Sequence, residues 1–300
     1  MRILLLGANG QVGRELRRSL APLGEIIATT RSGHLEEGSP CETADLDEPD
    51  SLGGLVERIA PDWVVNAAAY TAVDRAESEV DAAFRVNAES PGVLAVACAR
   101  RGAKLVHYST DYVFPGDGSR PYREDDATSP LGVYGASKLA GEEAIRTADA
   151  AHLIFRTAWV YASHGHNFLR TMLRLGAERE ELRVVADQVG TPTPAALIAD
   201  VTAQIMTRSA LATGTFHLTA EGQASWHGFA TAIFEGAHRR GLLAWRPRLV
   251  PITTADYPTP AKRPSYSRLD TTALRQSFGI ALPDWQQGLE DVLDRLAGGA

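Results

Sequence analysis

Apolar runs of strand length alternate with helix-like stretches through the first half of the chain, and this rhythm constrains the fold more than any other feature. The runs are Arg2–Leu6, Glu25–Thr29, Asp62–Ala67, Lys104–Ser109 and His152–Trp159. Helical periodicity falls between them at Gln11–Leu20, Asp50–Ile59, Asp74–Arg101 and Tyr134–Thr147. Strands that are apolar throughout, rather than on alternate residues, are buried on both faces, as in a parallel sheet covered by helices. Right-handed crossovers then make that sheet doubly wound. The expected class is α/β, a Rossmann-type doubly wound parallel sheet with a smaller mixed α/β lobe. Past Trp159 the pattern loosens, with helices expected at Asn167–Ala177, Pro194–Ser209, Trp226–Arg240 and Asp284–Leu296. Short strands are expected at Leu182–Ala186, Gly214–Leu218 and Arg248–Ile252, and an irregular proline-rich loop at 247–264. The division expected is a sheet domain over 1–155, rejoined by later segments such as 214–240, and a second lobe over most of 156–300.

Gly7, Gly10 and Gly13 form GANGQVG directly after the first strand. Glycines there permit a tight turn and close backbone approach, and the following helix N-terminus can receive a pyrophosphate. At the first βα junction this reads as a dinucleotide site, and the GxxGxxG spacing resembles that of short-chain dehydrogenases/reductases. The second strand ends Thr29, Thr30, Arg31, Ser32. A carboxylate at this end binds a ribose 2′-hydroxyl, whereas an arginine pairs with a 2′-phosphate. The sequence therefore predicts NADPH over NADH, with Arg31 as a solvated loop residue the alternative. Asp45 and Leu46 are candidate adenine contacts. The small residues of Asn66–Thr71, Ala67, Ala68 and Ala69 among them, let backbone approach the cofactor or else pack a tight strand.

The segment YGASK places Tyr134 and Lys138 four residues apart on one helix face. A phenol is a poor acid or base at neutral pH, and a nearby cation lowers its pKa. The pair can then move a proton beside a carbonyl. Tyr and Lys at this spacing also occur on solvated faces, so the pair takes its meaning from context. Thr110 ends the fifth strand, and ligands of doubly wound sheets sit at the carboxyl ends of strands. In the short-chain dehydrogenase/reductase class that these motifs resemble, Thr110 would orient the carbonyl, Tyr134 supply its proton, and Lys138 lower the Tyr134 pKa and hold the nicotinamide ribose, so a carbonyl reductase is expected. Asp111 is a ligand contact or a turn former.

Composition removes other classes. Net charge is −7 with pI near 5.6, which argues against nucleic acid. No apolar run has the length of a membrane span, so a cytoplasmic location is expected. Cys41 and Cys98 form no CxxC, the eight histidines form no HExxH, and His107 and His217 read as packed strand residues.

NAAAYTAVDRAE, STDYVFPG, YGASKLAGE, RTAWVY, NFLRTML, DQVGTPT, ASWHGFA and KRPSYSRLD occur in the order found in dTDP-4-dehydrorhamnose reductases, which the chain resembles from residue 2 to about 296. The resemblance implies NAD(P)H-dependent reduction of the C4 ketone of dTDP-4-dehydro-L-rhamnose. It implies Thr110, Tyr134 and Lys138 as catalytic trio, and Thr110 and Asp111 at the sugar nucleotide. It implies Trp159 against the sugar, and Gln11, Val12, Asp45, Leu46, Ala69, Tyr70, Thr71 and Tyr108 at the cofactor. Many members carry an acid where this chain has Thr30, which fits NADPH and leaves NADH open. Some members are magnesium-containing dimers built on glutamates. Glu15 matches one of these, but Ala196 and Gln286 stand at the later positions, so no metal is expected and a homodimer is left open. Asn167, Gln188 and Arg263 are candidates for the sugar and diphosphate, each equally accounted for as structural. Rival readings are a reductase of a related nucleotide 4-keto-6-deoxy sugar and a non-catalytic regulatory homologue. Related dehydratases read TDE where Asp111 is followed by Tyr112.

Overall fold

The computed structural model describes residues 1–208 and 213–299. Seven strands form the central sheet: β1 (Arg2–Leu6), β2 (Glu25–Thr30), β3 (Glu42–Thr43), β4 (Trp63–Asn66), β5 (Lys104–Thr110), β6 (His152–Thr157) and, from the second half, Gly214–His217. Across the sheet the order runs from Gly214–His217 through β6, β5, β4, β1 and β2 to β3, and every pair is parallel. Reversal of strand order between β1 and β4 opens a crevice at their carboxyl ends, where doubly wound sheets bind ligands. Ile3 to Leu6 are all fully buried, which is why this run carries no polar alternation.

Helices cover both faces: α1 (Gln11–Leu20), α2 (Pro49–Ile59), α3 (Val73–Ala76), α4 (Val80–Phe84), α5 (Ser90–Arg101) and α6 (Val133–Thr147). α1 buries Leu16 and Leu20 and carries Arg17 and Arg18 in its last turn, where cations complement the helix dipole. Pro49 opens α2 at a position where its missing N–H costs nothing.

The single helix expected over Asp74–Arg101 is instead broken. Ser78 and Glu79 both donate to the Arg75 carbonyl between α3 and α4, and a π-helical turn at Arg85–Glu89 precedes α5. Pro91 is the physical reason for the second break. It has no N–H for the Asn87 carbonyl, and its ring crowds that carbonyl in a regular helix.

The second half builds its own core. The strands are β7 (Val160–Tyr161), β8 (Glu181–Val185), β9 (Val189–Gly190), β10 (Thr193–Pro194), β11 (the sheet strand Gly214–His217), β12 (Ala224–Ser225) and β13 (Arg248–Ile252). The helices are α7 (Phe168–Glu178), α8 (Ala195–Met206), α9 (Trp226–Arg239), α10 (Thr272–Phe278) and α11 (Trp285–Ala297). α7, α9 and α11 bury Leu169, Met172, Phe229, Ile233, Trp285 and Leu289 together, over the parallel pair β8–β13. α8 packs on the sheet side, with Ile198, Ala199 and Ile205 in the core that contains Leu5, Val65 and Phe155.

Of the segment 214–240, β11 rejoins the sheet whereas α9 packs in the second core. The helix expected over Pro194–Ser209 ends at Met206, and Ser209 lies outside the described residues. β6 ends at Thr157 rather than Trp159, because the chain turns out of the sheet with Trp159 at φ 48°. β3 and α10 were too short for their periodicity to register in the sequence.

Candidate active site

The crevice floor is made by close backbone approach. Gly7 lies at φ 77°, and a Cβ on it would come within 2.8 Å of the Ala68 nitrogen. A Cβ on Gly13 would stand 2.0 Å from the Gly7 carbonyl oxygen, so α1 can start here only with glycine at both places. Gly10 precedes α1 with no side chain capping its first amides, and no acid sits in its first turn. Those free N–H groups, beside Gln11 and Val12, form a cradle for a phosphate. Ala67, Ala68 and Ala69 continue β4 across the crevice, and the Asn87 side chain brackets Tyr70 by accepting from its N–H (2.9 Å) and donating to its carbonyl (3.0 Å). Thr71 follows on the exposed side, and Tyr70 donates its hydroxyl to Glu79.

At the outer end of β2, Thr30 spends its hydroxyl on the loop, accepting from the His34 N–H (3.1 Å) and donating to the His34 carbonyl (3.0 Å). Arg31 is exposed and makes no hydrogen bond or ion pair among the described residues. Asp45 is half-buried, and one of its oxygens accepts from the Asp47 N–H (3.0 Å), beside buried Leu46.

Thr110, Asp111, Tyr134 and Lys138 converge past the end of β5. The Glu77 carboxylate accepts from the Val133 N–H at 2.9 Å, capping α6 one residue before Tyr134. Tyr134 is half-buried, edge-on to Tyr112 with ring centroids 5.8 Å apart, and its phenol faces the Thr110 hydroxyl. The Thr110 hydroxyl donates to Asp111 Oδ1 (3.0 Å) and accepts from the Tyr112 N–H (3.1 Å). Asp111 Oδ2 is buried without a partner. Burial pushes the Asp111 carboxyl up to about 6, against the hydroxyls of Ser267 and Thr110. An orphaned, desolvated carboxylate oxygen at this place can accept from a hydroxyl that enters the crevice.

Lys138 is 1% exposed and points into the sheet. Its Nζ donates to the Tyr108 carbonyl (2.7 Å) and lies 3.0 Å from His107 Nε2. Burial lowers its pKa to about 8, with Glu142 opposing. The expected lowering of the Tyr134 pKa requires the Lys138 ammonium beside the phenol, and in this structure the Tyr108 carbonyl holds Nζ. Burial instead pushes the phenol up to about 12, with Thr110 pulling it down and Asp111 adding to the rise. The ammonium is turned to β5, so desolvation dominates. The Tyr108 hydroxyl meets Thr202 of α8 at 2.8 Å, leaving its carbonyl as the group that faces Lys138.

The candidates from the second half divide differently. Trp159 lies flat on Trp226, centroids 3.5 Å and planes 3° apart, and forms an aromatic wall. Gln188 supports that wall, accepting from Trp226 Nε1 (3.2 Å) and donating to Thr254 (3.0 Å). Asn167 caps α7 through the Arg170 N–H (3.0 Å) and donates to Gln11 Oε1 at 2.8 Å, tying the lobe to the cofactor crevice. Arg263 pairs with Asp74 through both terminal nitrogens, at 2.9 and 2.8 Å. The amides of Gln188 and Asn167 and both terminal nitrogens of Arg263 are thus engaged by protein partners. His107, Glu77, Asn87 and Trp226 were missed as site residues. Their roles arise from contacts between distant segments, and no local spacing announces them.

Glu15 receives Arg18 (3.3 Å), Arg295 (3.4 Å) and His164 (3.1 Å). Burial opposes, but these donors hold its carboxyl down near 2, and a carboxylate so surrounded by cations does not suit Mg²⁺. Among the described residues no group of three or more His, Cys, Asp and Glu could hold a metal ion, and no helix is long and apolar enough to cross a membrane.

The family model described as RmlD substrate binding domain matches residues 1–297. A dTDP-4-dehydrorhamnose reductase of Burkholderia thailandensis is 52% identical, over 95% of this chain and 96% of its own length. That of Escherichia coli strain K12 is 49% identical, over 99% and 98%. Among solved structures, a dTDP-4-dehydrorhamnose reductase from Clostridium acetobutylicum superposes with TM-score 0.89 at 37% identity, covering 99% of each chain. The Bacillus anthracis enzyme in complex with NADP gives TM-score 0.88 at 36% identity, covering 98% of this chain and 99% of its own. A family model spanning nearly every residue and relatives near half identity over their full lengths place the chain in the dTDP-4-dehydrorhamnose reductase family.

Proposed function

We propose that the chain reduces the C4 ketone of dTDP-4-dehydro-β-L-rhamnose to dTDP-β-L-rhamnose with NADPH, the last step in making that activated sugar. The observation that carries this is the meeting of the Tyr134 phenol and the Thr110 hydroxyl at the carboxyl end of β5, beside the crevice lined by Gly7, Gly10 and Gly13. With its pKa near 12, Tyr134 holds its proton at neutral pH, which is the form a reduction consumes. The relatives named above, and the NADP of the Bacillus anthracis complex, support the same reading.

NADPH, when bound, supplies the hydride. The free amides at the start of α1 would hold its pyrophosphate, Arg31 the 2′-phosphate, Asp45 and Leu46 the adenine, and the 67–71 segment the ribose and nicotinamide side. Thr110 orients the ketone by turning its single hydroxyl proton from Asp111 Oδ1 to the ketone oxygen, and Tyr134 donates its phenolic proton to that oxygen as it gains charge. To stabilise the phenolate that remains and anchor the nicotinamide ribose, Lys138 would swing its ammonium from the Tyr108 carbonyl toward the phenol. Asp111 accepts from a sugar hydroxyl through Oδ2, and Trp159 forms the apolar wall behind the ring. Residues 1–155 serve the cofactor, and the core of α7, α9 and α11 holds the sugar nucleotide.

The test mixes the protein, NADPH and dTDP-4-dehydro-L-rhamnose made by the upstream dehydratase and epimerase. The expected result is one NADPH consumed per dTDP-L-rhamnose formed. Tight binding of the sugar nucleotide without NADPH oxidation would instead favour a regulatory homologue.

A further inference from the structure

His107 lies opposite Asn66 in the β4–β5 register, and both side chains are 1% exposed. Asn66 Oδ1 accepts from the Ala68 N–H at 3.1 Å, which fixes the orientation of its amide. Its Nδ2 therefore donates to His107 Nδ1, 3.2 Å away. Neutral imidazole with Nδ1 as acceptor carries its proton on Nε2. Nε2 in turn faces Lys138 Nζ at 3.0 Å, while Nζ donates to the Tyr108 carbonyl at 2.7 Å. A lysine amine satisfies this chain completely, because its lone pair accepts the Nε2 proton. An ammonium opposes donor to donor, and relieving that requires His107 to change tautomer against Asn66.

We propose that Asn66 and His107 are positioning residues that set the proton affinity of Lys138, and with it the alkaline limit of catalysis. This rests on the Tyr134–Lys138 reading above. Burial, with Lys138 adding, holds the His107 ring neutral, as the tautomer argument requires. The other groups facing Lys138 do not replace this control. Glu142, one turn along α6, is committed to Arg156 (2.7 Å), Arg146 (3.2 Å) and Ser109. Tyr134 and Asp111 lie toward the substrate side, and the π-helical turn contributes the neutral Asn87, bonded to Ser137 (3.0 Å).

Two variants reverse the polarity of the chain. In Asn66→Asp, a carboxylate accepts from Nδ1–H, so Nε2 offers its lone pair to the ammonium. In His107→Gln, the amide oxygen takes that acceptor role directly. Each is expected to move the alkaline limb of the kcat profile upward by about one pH unit, close to tenfold in rate on that limb. A structural role alone would lower kcat at every pH and leave the limb in place, which would overturn the proposal. Histidine ¹⁵N NMR of the unsubstituted protein reads the tautomer without any activity, with the His107 signal assigned by its through-space contacts to Asn66. An Nε2–H tautomer is expected, and an Nδ1–H tautomer would overturn the proposal even if the sugar reduction itself failed or the variants did not fold.

Discussion

Arg31 and Asp111 show how single side chains were legible to different degrees. Arg31 was readable because its position at the end of β2 is a matter of chain order. Its lack of any partner among the described residues leaves its charge available for a 2′-phosphate. Arg31→Ala is expected to lower kcat/KM with NADPH by about tenfold and to leave that with NADH nearly unchanged, measured as paired specificity constants. Asp111 was readable as a residue but not as an energetic burden. Its folded pKa of about 6 lies above the ordinary value of 3.8, so the folded state binds the proton more tightly than the unfolded chain. Stability is then lost as pH rises from about 4 to about 6, and the full cost remains above that. Asp111→Asn is accordingly expected to melt higher than the parent at pH 8, and to lose that advantage below about pH 4. The same variant should raise KM for the sugar nucleotide, since the orphaned oxygen no longer accepts as a carboxylate. Arg263 is the opposite case. Its sequence setting suggested a phosphate ligand, and only the fold brings Asp74 to it across the chain.

The elements of the sheet were legible because apolar runs and glycine turns are local signals. β13 keeps the bounds read from the sequence, and α1 does as well. The stretch after β4 was not legible, because Pro91 acts against a helical pattern that otherwise continues through it. The resulting π-helical turn is where Asn87 reaches both Tyr70 and α6. α6 itself is fixed to the sheet by an ion pair that no sequence period shows. Glu142 and Arg156 meet at 2.7 Å with side chains 0% and 4% exposed. Burial alone would push the Glu142 carboxyl up, but Arg156, Ser109 and Arg146 bring it below its ordinary value. Its contribution to stability is therefore present above the ordinary carboxylate range and is lost as pH falls through it. Glu142→Gln leaves the Arg156 guanidinium buried with its charge uncompensated. It is expected to cost about 3–5 kcal/mol in denaturant titration at pH 7, with the difference narrowing under acid conditions.

Across the whole molecule, the two halves meet where chemistry is proposed to occur. Asn167 reaches from α7 to Gln11 at the cofactor cradle, and Trp159 leaves β6 to stack on Trp226 of α9. The class of fold and the glycine turn between β1 and α1 could be read from chain order alone. The wall and the buried Asn66–His107–Lys138 chain could not, since they exist only once distant segments pack. Binding of NADPH should stabilise this arrangement by about 2.7 kcal/mol at a hundredfold excess over Kd. The melting temperature should thus climb with NADPH concentration, and Gly13→Ala should abolish that climb, because its Cβ would collide with the Gly7 carbonyl. The central claim is that the Tyr134 phenol delivers the proton in an NADPH-driven ketone reduction. It is tested most directly by single-turnover reduction of dTDP-4-dehydro-L-rhamnose by Tyr134→Phe, alongside NADPH binding to the same variant. A rate lower by about 10²–10⁴-fold with an unchanged Kd for NADPH is the predicted result, and reduction at the parent rate would contradict it.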